Sequence, residues 1–471
     1  MSTIDLLNKI KNQETTCEEN IAKKIETINK KEKEVRSFID VFSEEALEKA
    51  RQLDKKIKNG EKVGKLAGLA IAIKNNLCIK GKRATCASKI LENYTAPYNA
   101  TVIEKILNED VIIIGTANMD EFACGSDTTK SAFYPTRNPI NLDLVPGGSS
   151  GGSAATVAAG MADLALGTDT GGSVRCPASF CGVVGLKSTY GTVSRFGLID
   201  MGMSLEQVGV LSNDAEGAAL LLSVIAGKDE RDSISINSDL NSIKPDLSNN
   251  LEKLTIGIPK EFFDGVDEKI GELIKEKIKV FEKHGASLTE VSIPHIKYAV
   301  PMYYLVDFAE FSSAMQKYDG LRYGFRADVN ESLIASVSNV RGASLGKEVK
   351  RRILLGTYIT MKEFRDAWYT KTLKARSLLR KEFLRVFEKC DLLAGPAMPT
   401  LPWKIGEKTS NPVESYLADI LTSSANLVGI PAGVTNAGFL NNLPVGIQIH
   451  GNYLAEKTVL NALSILQKNK Q

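Results

Sequence analysis

Two glycine- and serine-rich segments hold the side chains best suited to nucleophilic chemistry. In the second of them, residues 167–175, Ser173 follows two glycines, and the segment comes directly after the strand-like residues 163–166. Glycine tolerates unusual backbone angles, so successive N–H groups there can converge on one point. Convergent N–H donors are what the oxyanion of a tetrahedral intermediate needs. Ser173 is therefore a candidate nucleophile, and a tight turn without catalytic function is the alternative.

The first segment, residues 145–153, has three interpretations. Residues 147–151 fit the Gly-x-Ser-x-Gly pattern of a nucleophile elbow around Ser149, although the residues before them make a poor strand. A phosphate-binding loop would end in Gly-Lys-Ser/Thr, which this segment lacks. A flexible loop, or a helix start capped by serine, is the structural alternative. The segment by itself leaves these interpretations open.

Lys74 is the third candidate, because it ends the continuous apolar run of residues 69–73. Such a run is typical of a buried strand. A lysine at its end either extends its amine to solvent or is held in a dry site. A dry site lowers the lysine pKa from about 10.4 and makes the neutral amine a usable base. Lys74 is thus a candidate general base.

Histidine and cysteine give little support to other catalytic classes. The sequence has three histidines, His284, His295 and His450, and none has a carboxylate or cysteine nearby in a known catalytic spacing. The His-Glu-x-x-His pattern of zinc proteases is absent, and the seven cysteines form no Cys-x-x-Cys pair. We therefore expect no metal site, and surface or packing roles for the histidines.

Composition limits the partners and the compartment. The 471 residues carry a formal net charge of +3, whereas a protein that grips nucleic acid by itself usually has a strong basic excess. The start of the chain lacks a signal-peptide pattern, and the most apolar helical stretch, residues 154–166, is too short and too polar to span a bilayer. Together with the odd number of cysteines in a large chain, this predicts a cytoplasmic protein without membrane contact.

The elements that position these residues alternate between helix and strand. Residues 69–73 and 111–115 are predicted strands on either side of a helix at 100–108, which favours an α/β sheet covered by helices on both faces. Residues 1–60 have helical spacing and form an N-terminal helical segment. Further strands are predicted at 254–258, 391–394 and 445–449, and a long helix at 361–390.

Taken together, three strings resemble the amidase signature family. The strings are residues 72–76, 146–153 and 167–173. Their order and spacing match that family as well. The resemblance implies a catalytic triad of Lys74, Ser149 and Ser173, with a cis peptide bond before Ser149. It also implies a large mixed β-sheet, with residues 61–471 as the amidase domain and a signature core at about 61–220.

Four later strings extend the resemblance over nearly the whole chain. They are residues 194–199, 318–324, 347–353 and 443–448. They resemble one branch of the family, the glutamine-hydrolysing subunits of tRNA-dependent amidotransferases. For that branch the resemblance implies that Ser173 attacks the side-chain amide of glutamine and ammonia leaves. Ser149 and Lys74 then carry the proton in turn.

The resemblance also implies which residues contact the substrate. Backbone N–H groups would stabilise the oxyanion, and the expected donors are those of Thr170, Gly171, Gly172 and Ser173. Free glutamine is a zwitterion, so a selective pocket needs a cation for its carboxylate and an anion for its ammonium. Arg352 and Asp419 are expected in those roles. The full set of expected substrate-binding residues is Ser126, Tyr303, Arg352 and Asp419.

Partners follow from the same resemblance. In such enzymes a B subunit uses ATP and Mg²⁺ to phosphorylate Glu-tRNA(Gln) and binds the tRNA, and a C subunit wraps both chains. This chain is then expected to need no cofactor of its own and to act in a heterotrimer that makes Gln-tRNA(Gln). The missing phosphate loop and the small net charge agree with that division. The alternatives are a stand-alone amidase acting on small amides, and a binding protein on an amidase scaffold.

The sequence departs from the family pattern in three places, two single positions and one pair. Asn75 stands where aspartate is usual, Cys176 stands where many members have glutamine, and the pair Ser126-Asp127 replaces small residues. None of them belongs to the implied triad. They affect only the expected shape of the pocket.

Overall fold

The computed structural model describes residues 2–244, 251–326, 332–408 and 411–469, and one sheet runs through all four ranges. In chain order the strands are β1 (Phe38–Val41), β2 (Ala70–Lys74), β3 (Ile112–Ala117), β4 (Leu164–Asp169), β5 (Val184–Lys187), β6 (Gln207–Ser212), β7 (Thr255–Pro259), β8 (Ser287–Val291), β9 (Leu392–Pro396), β10 (Ala432–Leu440) and β11 (Leu443–Gly451). Across the sheet the order is β1-β3-β2-β4-β6-β5-β10-β11-β9-β7-β8.

The α-helices of the described ranges connect and flank these strands. They are α1 (Thr3–Lys11), α2 (Cys17–Val35), α3 (Ser43–Lys58), α4 (Thr101–Asn108), α5 (Gly151–Ala158), α6 (Arg175–Cys181), α7 (Ala215–Ile225), α8 (Glu268–Ile278), α9 (Val280–Lys283), α10 (Ala299–Ala314), α11 (Leu333–Ser344), α12 (Lys347–Thr360), α13 (Lys371–Phe387), α14 (Pro412–Tyr416), α15 (Ser423–Val428) and α16 (Glu456–Lys468).

The sheet mixes parallel and antiparallel pairs. β3, β2 and β4 are parallel neighbours, and so are β9, β7 and β8. Every pair from β4 across to β9 is antiparallel. The apolar runs that predicted strands correspond to β2, β3, β7, β9 and β11, with ends shifted by one or two residues. The predicted mixed α/β sheet is confirmed.

Helices cover both faces of this sheet. A Cβ built on Gly185 of β5 lies 2.6 Å from the side chain of Ala178 in α6. The next residue, Leu186, lies near Gly433 of β10, which Leu463 of α16 also approaches. Because successive side chains of a strand point to opposite faces, α6 and α16 lie on opposite sides of the sheet. This agrees with the predicted covering of both faces.

The N-terminal residues 2–60 are mainly helical but also supply one strand. β1 lies between α2 and α3 and pairs with β3 in antiparallel fashion at the sheet edge. The Asn20 side chain of α2 donates to the Gly68 carbonyl oxygen and to Asp163, both at 2.9 Å. The sequence predicted helices alone here, because four residues with no long apolar run give a weak strand signal. The domain boundary near residue 60 stays a prediction.

The long helix predicted for residues 361–390 is wrong at its beginning. α12 ends at Thr360, and Met361 is extended with a ψ of 144°. A π-helical turn at Asp366–Thr370 precedes α13. The Thr360 hydroxyl donates to the Gly356 carbonyl oxygen at 2.9 Å, and such bonds compete with the backbone bonds of a helix. No glycine or proline marks the break, so the residue pattern does not predict it.

The seven cysteines are all buried, and none forms a disulfide. They are Cys17, Cys78, Cys86, Cys124, Cys176, Cys181 and Cys390. Burial raises the pKa of each thiol. Since the thiolate is the reactive form of cysteine, these side chains serve as packing groups in the folded chain.

Candidate active site

Lys74 is the last residue of β2, and its side chain is fully buried. Nζ donates to the Ser149 hydroxyl at 2.8 Å and to the Thr168 hydroxyl at 2.9 Å, and it lies 3.4 Å from the Thr168 carbonyl oxygen. All of these acceptors are uncharged. Of the two interpretations open to Lys74, the structure shows the dry site and not an amine extended to solvent.

Burial also sets the protonation of this amine. Removal from water disfavours the ammonium form and lowers the Lys74 pKa to about 8. The carboxylates of Glu206, Asp120 and Asp169 oppose this shift, because negative charge stabilises the ammonium form. A neutral amine is therefore accessible at mildly alkaline pH. A neutral amine in contact with a hydroxyl is the arrangement of a general base.

Two serines beside Ser149 anchor α5 to the sheet. The Ser150 hydroxyl donates to the Thr168 carbonyl oxygen at 3.1 Å, and the Ser153 hydroxyl donates to the Leu166 carbonyl oxygen at 3.0 Å. Both acceptors belong to β4. Of these serines, only Ser149 presents its hydroxyl to the lysine.

The peptide bond between Gly148 and Ser149 is cis, as the resemblance implies. A Cβ on Gly148 would collide with the carboxylate of Asp120 and with the backbone of residues 126–127. The close approach of these groups therefore requires glycine at position 148. The Asp120 N–H donates to the Ser149 carbonyl oxygen at 3.3 Å, so the same segment is held on its other side.

Ser173 lies in the turn between β4 and α6. It is 7% exposed, whereas Ser149 is fully buried. The Ser150 N–H donates to the Ser173 carbonyl oxygen at 3.0 Å, which joins the two serine-bearing segments. In the described ranges no hydrogen bond links the hydroxyls of Ser173 and Ser149. The structure thus brings the segments of the predicted triad together, with the contact between Lys74 and Ser149 already formed.

A buried ion pair braces this turn. Arg175 contacts Asp169 through Nε at 3.0 Å and through Nη2 at 2.9 Å. Arg175 also donates to Gln448 at 2.7 Å, to Asn426 at 2.6 Å and to the carbonyl oxygen of Thr422 at 2.8 Å. Burial alone would raise the Asp169 pKa, but Arg175 lowers it to about 2. The guanidinium therefore ties the turn to β11 and α15.

The N–H groups of the turn are not all free. The Gly172 N–H donates to Asp169 Oδ1 at 2.9 Å. The oxyanion role expected of Gly172 is therefore not open to it in this arrangement, because the carboxylate that pairs with the arginine already occupies its N–H. The N–H groups of Thr170, Gly171 and Ser173 have no acceptor within the described part of the chain.

Tyr303 of α10 packs directly on the turn. A Cβ on Gly171 would lie 2.5 Å from Cζ of Tyr303. The Tyr303 ring is buried and meets the Tyr304 ring edge-on, with centroids 4.8 Å apart. The Thr422 hydroxyl donates to the Gly171 carbonyl oxygen at 2.6 Å. Gly171 therefore contacts both α10 and the segment before α15, and these contacts restrain its conformation.

Arg352 of α12 is buried, whereas the side chain of its neighbour Arg351 is 40% exposed. Its Nη1 lies 2.8 Å from Asp307, and its Nε lies 3.0 Å from Glu348. The guanidinium also lies over the Tyr304 ring, 5.4 Å from the centroid. Nη2 has no hydrogen-bond partner within the ranges described. The predicted cation thus faces the interior and keeps one nitrogen available.

Asp419 and Ser126 lie on two sides of the same region. Asp419 accepts a hydrogen bond from the Tyr304 hydroxyl at 2.6 Å, and burial raises the Asp419 pKa to about 7. Tyr304 therefore links Asp419 to the arginine described above. The Ser126 hydroxyl donates to the Ser415 carbonyl oxygen at 3.3 Å, and the Ser126 backbone borders Gly148. Tyr303, Arg352 and Asp419 are gathered around Tyr304, whereas Ser126 lies on the side of the cis peptide.

The positions that depart from the family pattern make local contacts. Asn75 accepts the Thr85 N–H at 2.8 Å. Asp127 forms an ion pair with Lys130 at 3.0 Å. The Cys176 thiol donates to a backbone carbonyl oxygen at 3.6 Å. None of these three side chains forms a hydrogen bond or ion pair with Lys74 or with either candidate catalytic serine.

Sequence reasoning missed several residues that shape the site. The Thr168 hydroxyl accepts a hydrogen bond from the Lys74 amine, and Arg175 holds the turn in place through its ion pair with Asp169. Thr168 lies within residues 167–173 and Arg175 lies two residues after them. Their closeness to Ser173 in the sequence was the feature that could have identified them. The partners of Arg175, Asn426 and Gln448, lie 251 and 273 residues further along the chain, and no local pattern connects them.

The described ranges contain neither a candidate metal-binding cluster nor a helix that could cross a membrane. No group of three or more histidine, cysteine or acidic side chains is placed there to hold a metal ion. In the same ranges, no helix combines the length and the apolar character needed to cross a bilayer.

Known proteins resemble this chain over almost its whole length. The A subunit of glutamyl-tRNA(Gln) amidotransferase from Carboxydothermus hydrogenoformans is 47% identical over 100% of this chain and 97% of that protein. The protein of the same name from Caldanaerobacter subterraneus subsp. tengcongensis is 46% identical, over 98% and 94%.

The structural comparison agrees. The crystal structure of the corresponding A subunit from Thermotoga maritima matches with a TM-score of 0.81 and 39% identity, over 96% of this chain and 92% of that one. The model of the amidase family matches residues 19–460. The chain belongs to the amidase family, and within it to the A subunits of glutamyl-tRNA(Gln) amidotransferases.

Proposed function

We propose that this chain hydrolyses the side-chain amide of glutamine and supplies the ammonia to a tRNA-dependent amidotransferase. The observation that carries the proposal is the 2.8 Å hydrogen bond from the buried Lys74 amine to Ser149, beside the turn that bears Ser173. A buried amine in contact with a hydroxyl is suited to proton transfer. The similarity of this chain to A subunits of glutamyl-tRNA(Gln) amidotransferases favours this function over a stand-alone amidase.

The proposed reaction begins with neutral Lys74. The amine accepts the Ser149 proton, Ser149 accepts the Ser173 proton, and the Ser173 oxygen attacks the carboxamide carbon. A tetrahedral intermediate forms, the C–N bond breaks, and the proton returns through Ser149 to the leaving nitrogen, so that ammonia departs. Water then attacks the glutamyl ester of Ser173 by the same relay, which releases glutamate and restores the hydroxyl.

Backbone N–H groups of the turn would stabilise the oxyanion of both tetrahedral intermediates. We assign this role to Thr170, Gly171 and Ser173, whose N–H groups have no acceptor within the described residues. Gly172 then has a supporting role, because its N–H donates to Asp169. That bond stabilises the conformation of the turn that carries the other three N–H groups.

Substrate recognition is assigned to the residues around Tyr304. Arg352 Nη2 would bind the glutamine carboxylate, while its other nitrogens stay on Asp307 and Glu348. Asp419 would bind the ammonium group, whose positive charge would stabilise the ionised carboxylate against the effect of burial. Tyr303 and Ser126 complete the proposed pocket on its two sides.

The rest of the overall reaction is assigned to partner chains. We propose a B subunit that binds Glu-tRNA(Gln) and activates it with ATP and Mg²⁺, and a C subunit that holds the two together in the cytoplasm. A net charge of +3 supports this division, because a chain that bound tRNA alone would need a concentrated positive surface. This chain then needs no cofactor of its own.

Replacing Ser173 tests the proposed nucleophile. In the assembled complex, Ser173→Ala should reduce glutamate release from glutamine by about a thousandfold or more, because the ester can no longer form. Ammonium chloride should still support formation of Gln-tRNA(Gln), since that step does not use the serine. The measurements are glutamate release and charged tRNA, with each nitrogen donor.

Ser153→Ala is the matched control for that experiment. It also removes a serine hydroxyl near the site, but that hydroxyl only anchors α5 to Leu166. It should lower the free energy of unfolding by about 1 kcal/mol and leave glutamine hydrolysis largely intact. Near-normal glutaminase activity in Ser173→Ala would show that the nucleophile is assigned to the wrong residue.

A further inference from the structure

The Lys74 amine has no carboxylate in direct contact. Its hydrogen-bond acceptors are oxygen atoms of Ser149 and Thr168, and within the described ranges no acidic side chain lies at ion-pair distance. In the proposed reaction the amine takes up a proton, so a positive charge appears in a dry site. Charge in such a site is costly unless an opposite charge lies nearby.

Glu206 is a fully buried carboxylate with an unused oxygen. Its Oε2 accepts the Met201 N–H at 2.9 Å. Its Oε1 has no hydrogen-bond partner in the part of the chain that the structure describes, and Glu206 forms no ion pair there. Buried carboxylates are normally paired or fully hydrogen-bonded, so this arrangement calls for an explanation.

Strand pairing brings the start of β6, which Glu206 directly precedes, next to the β4 residues that surround the Lys74 amine. Val208 of β6 pairs with Thr168 of β4, so their side chains share a face. Glu206 stands two residues before Val208, in the turn that leads directly into β6, where its N–H donates to the Gly202 carbonyl oxygen at 2.9 Å. The Thr168 hydroxyl, on the face that it shares with Val208, accepts a hydrogen bond from the Lys74 amine. Residues two positions apart across a regular ladder lie about 7–8 Å apart at the backbone. Glu206 stands one residue outside this ladder, and its side chain is long enough to extend towards the amine.

The other acidic groups near Lys74 are already occupied. Asp169 is held by two nitrogens of Arg175. Asp120 accepts two backbone N–H groups, those of Thr128 at 2.9 Å and Lys130 at 3.1 Å. Glu206 differs from both, because one of its oxygen atoms is uncommitted.

We propose that Glu206 is a positioning residue that stabilises the ammonium form of Lys74 when the amine takes the proton of Ser149. The inference rests on the proposed function. Glu206 accepts no proton in the reaction and touches neither glutamine nor the attacking oxygen. It acts through Lys74, as the counter-charge for the protonated base.

The charges around both groups agree with this role. Burial raises the Glu206 pKa to about 7, and the positive charge of Lys74 works against that shift. Among the groups that raise the Lys74 pKa against burial, Glu206 has the largest effect. The titratable groups facing Lys74 are Glu206, Asp120, Asp169 and Cys86. Those facing Glu206 are Lys74, Asp200, Asp307, Arg195 and Cys86.

The pH dependence of glutamine hydrolysis tests the proposal. Without the Glu206 charge the ammonium form of Lys74 is less stable, so its pKa falls and the acid limb of the profile moves to lower pH. In the assembled complex, Glu206→Gln should shift that limb down by about one pH unit and lower the plateau kcat about tenfold, since a weaker base accepts the proton less readily. KM for glutamine should stay within about twofold of the wild-type value.

Glu310→Gln is the matched control. Glu310 accepts the Ser204 N–H at 2.9 Å in the turn that leads to Glu206, so this variant loosens the same turn without removing the proposed counter-charge. Its acid limb should stay in place. A lower plateau with an unshifted limb in Glu206→Gln would overturn the proposal, because that result indicates a structural role only. If Glu206→Gln does not fold, the Glu206→Asp variant tests the proposal instead. It should shift the acid limb of the pH profile in the same direction by a smaller amount.

A second readout separates this inference from the proposed function. Phenylmethanesulfonyl fluoride sulfonylates activated serines, so its rate of reaction with Ser173 should follow the protonation of Lys74 even if glutamine is not the substrate. A wild-type complex that lacks glutaminase activity would refute the function. An acid limb of the labelling rate that is the same in wild type and Glu206→Gln would refute the role of Glu206.

Discussion

At the scale of single residues, the protonation of Lys74 decides whether the site can work. The amine is fully buried, and its contacts are oxygen atoms without charge. Burial brings its pKa down to about 8, well below the value of a lysine in water. Below that pH the ammonium form dominates and cannot accept a proton. Activity that depends on the neutral amine must therefore rise with pH.

We expect glutamine hydrolysis to increase about tenfold per pH unit on the acid side and to level off above about pH 8. Lys74→Arg should be as inactive as Lys74→Ala over the whole range, because arginine stays protonated. The measurement is kcat for glutamate release as a function of pH, from well below to well above the Lys74 pKa. An active Lys74→Arg enzyme would show that Lys74 is a structural cation.

Lys187 is the matched control for that prediction. It is also fully buried, and its pKa is lowered to about 7, but its amine donates to the carbonyl oxygen of Ser188. Lys187→Met should change stability without moving the acid limb. A shifted limb in that variant would mean that the profile does not report on Lys74.

The residue scale is also where the sequence was most informative. Lys74, Ser149 and Ser173 could be named because each stands in a short string of fixed spacing. The sequence could not predict which N–H groups of the turn are free and which already donate to another residue. This depends on where the Asp169 carboxylate points, and its arginine is held by residues from distant parts of the chain. Local spacing contains no information about such contacts.

At the scale of elements, the turn between β4 and α6 is shaped by what packs against it. α10 contributes Tyr303 against Gly171, and the segment before α15 contributes the Thr422 hydroxyl, which donates to the Gly171 carbonyl oxygen. A side chain at position 171 has no space, so it must displace the tyrosine or the turn. Either movement would misdirect the N–H groups assigned to the oxyanion.

Gly171→Ala should therefore lower kcat for glutamine hydrolysis by about 10²–10³, the usual effect of losing one oxyanion donor. Ammonium-dependent amidation should persist in the assembled complex. Gly342→Ala is the control, because a Cβ there meets no atom within 4 Å, and it should leave kcat unchanged. Normal turnover by Gly171→Ala would show that the turn adapts without loss of the donors.

Element boundaries were predictable where an apolar run was continuous. The run at residues 69–73 corresponds to β2, and the run at 111–115 to β3. β1 was not predicted because it is only four residues long and is stabilised by pairing with β3. The break at Met361 was missed because no residue type marks it. For β1, a tertiary pairing overrides a weak local preference, whereas the break at Met361 goes with a local bond from the Thr360 hydroxyl to the Gly356 carbonyl oxygen.

At the scale of the whole molecule, the charge balance agrees with a subunit that makes ammonia for another chain. The 59 lysine and arginine residues are nearly balanced by 56 acidic ones. Tight binding of tRNA by this chain alone would require a larger positive excess. No sequence pattern for a phosphate-binding loop is present either.

The isolated chain should show weak glutaminase activity at most and no ATP-dependent conversion of Glu-tRNA(Gln). Activation of a carboxylate needs a nucleotide site, and this chain has no recognisable sequence motif for one. Adding the B and C subunits should restore conversion with glutamine as nitrogen donor. The measurement is Gln-tRNA(Gln) formed by the purified chain with ATP, glutamine and Glu-tRNA(Gln), with and without partners. Turnover without partners would reveal a kinase site in this chain.

Because all seven cysteines are buried, the reactivity of their thiols reports on conformational motion of the protein. Alkylating reagents attack thiolates, and burial both hides the sulfur atoms and raises their pKa values. Labelling at each position therefore requires a transient opening of that region. Cys17 lies in α2, Cys181 ends α6, and Cys390 precedes β9. The native thiols thus provide separate kinetic probes of local unfolding, and their modification rates can be compared without adding a foreign label.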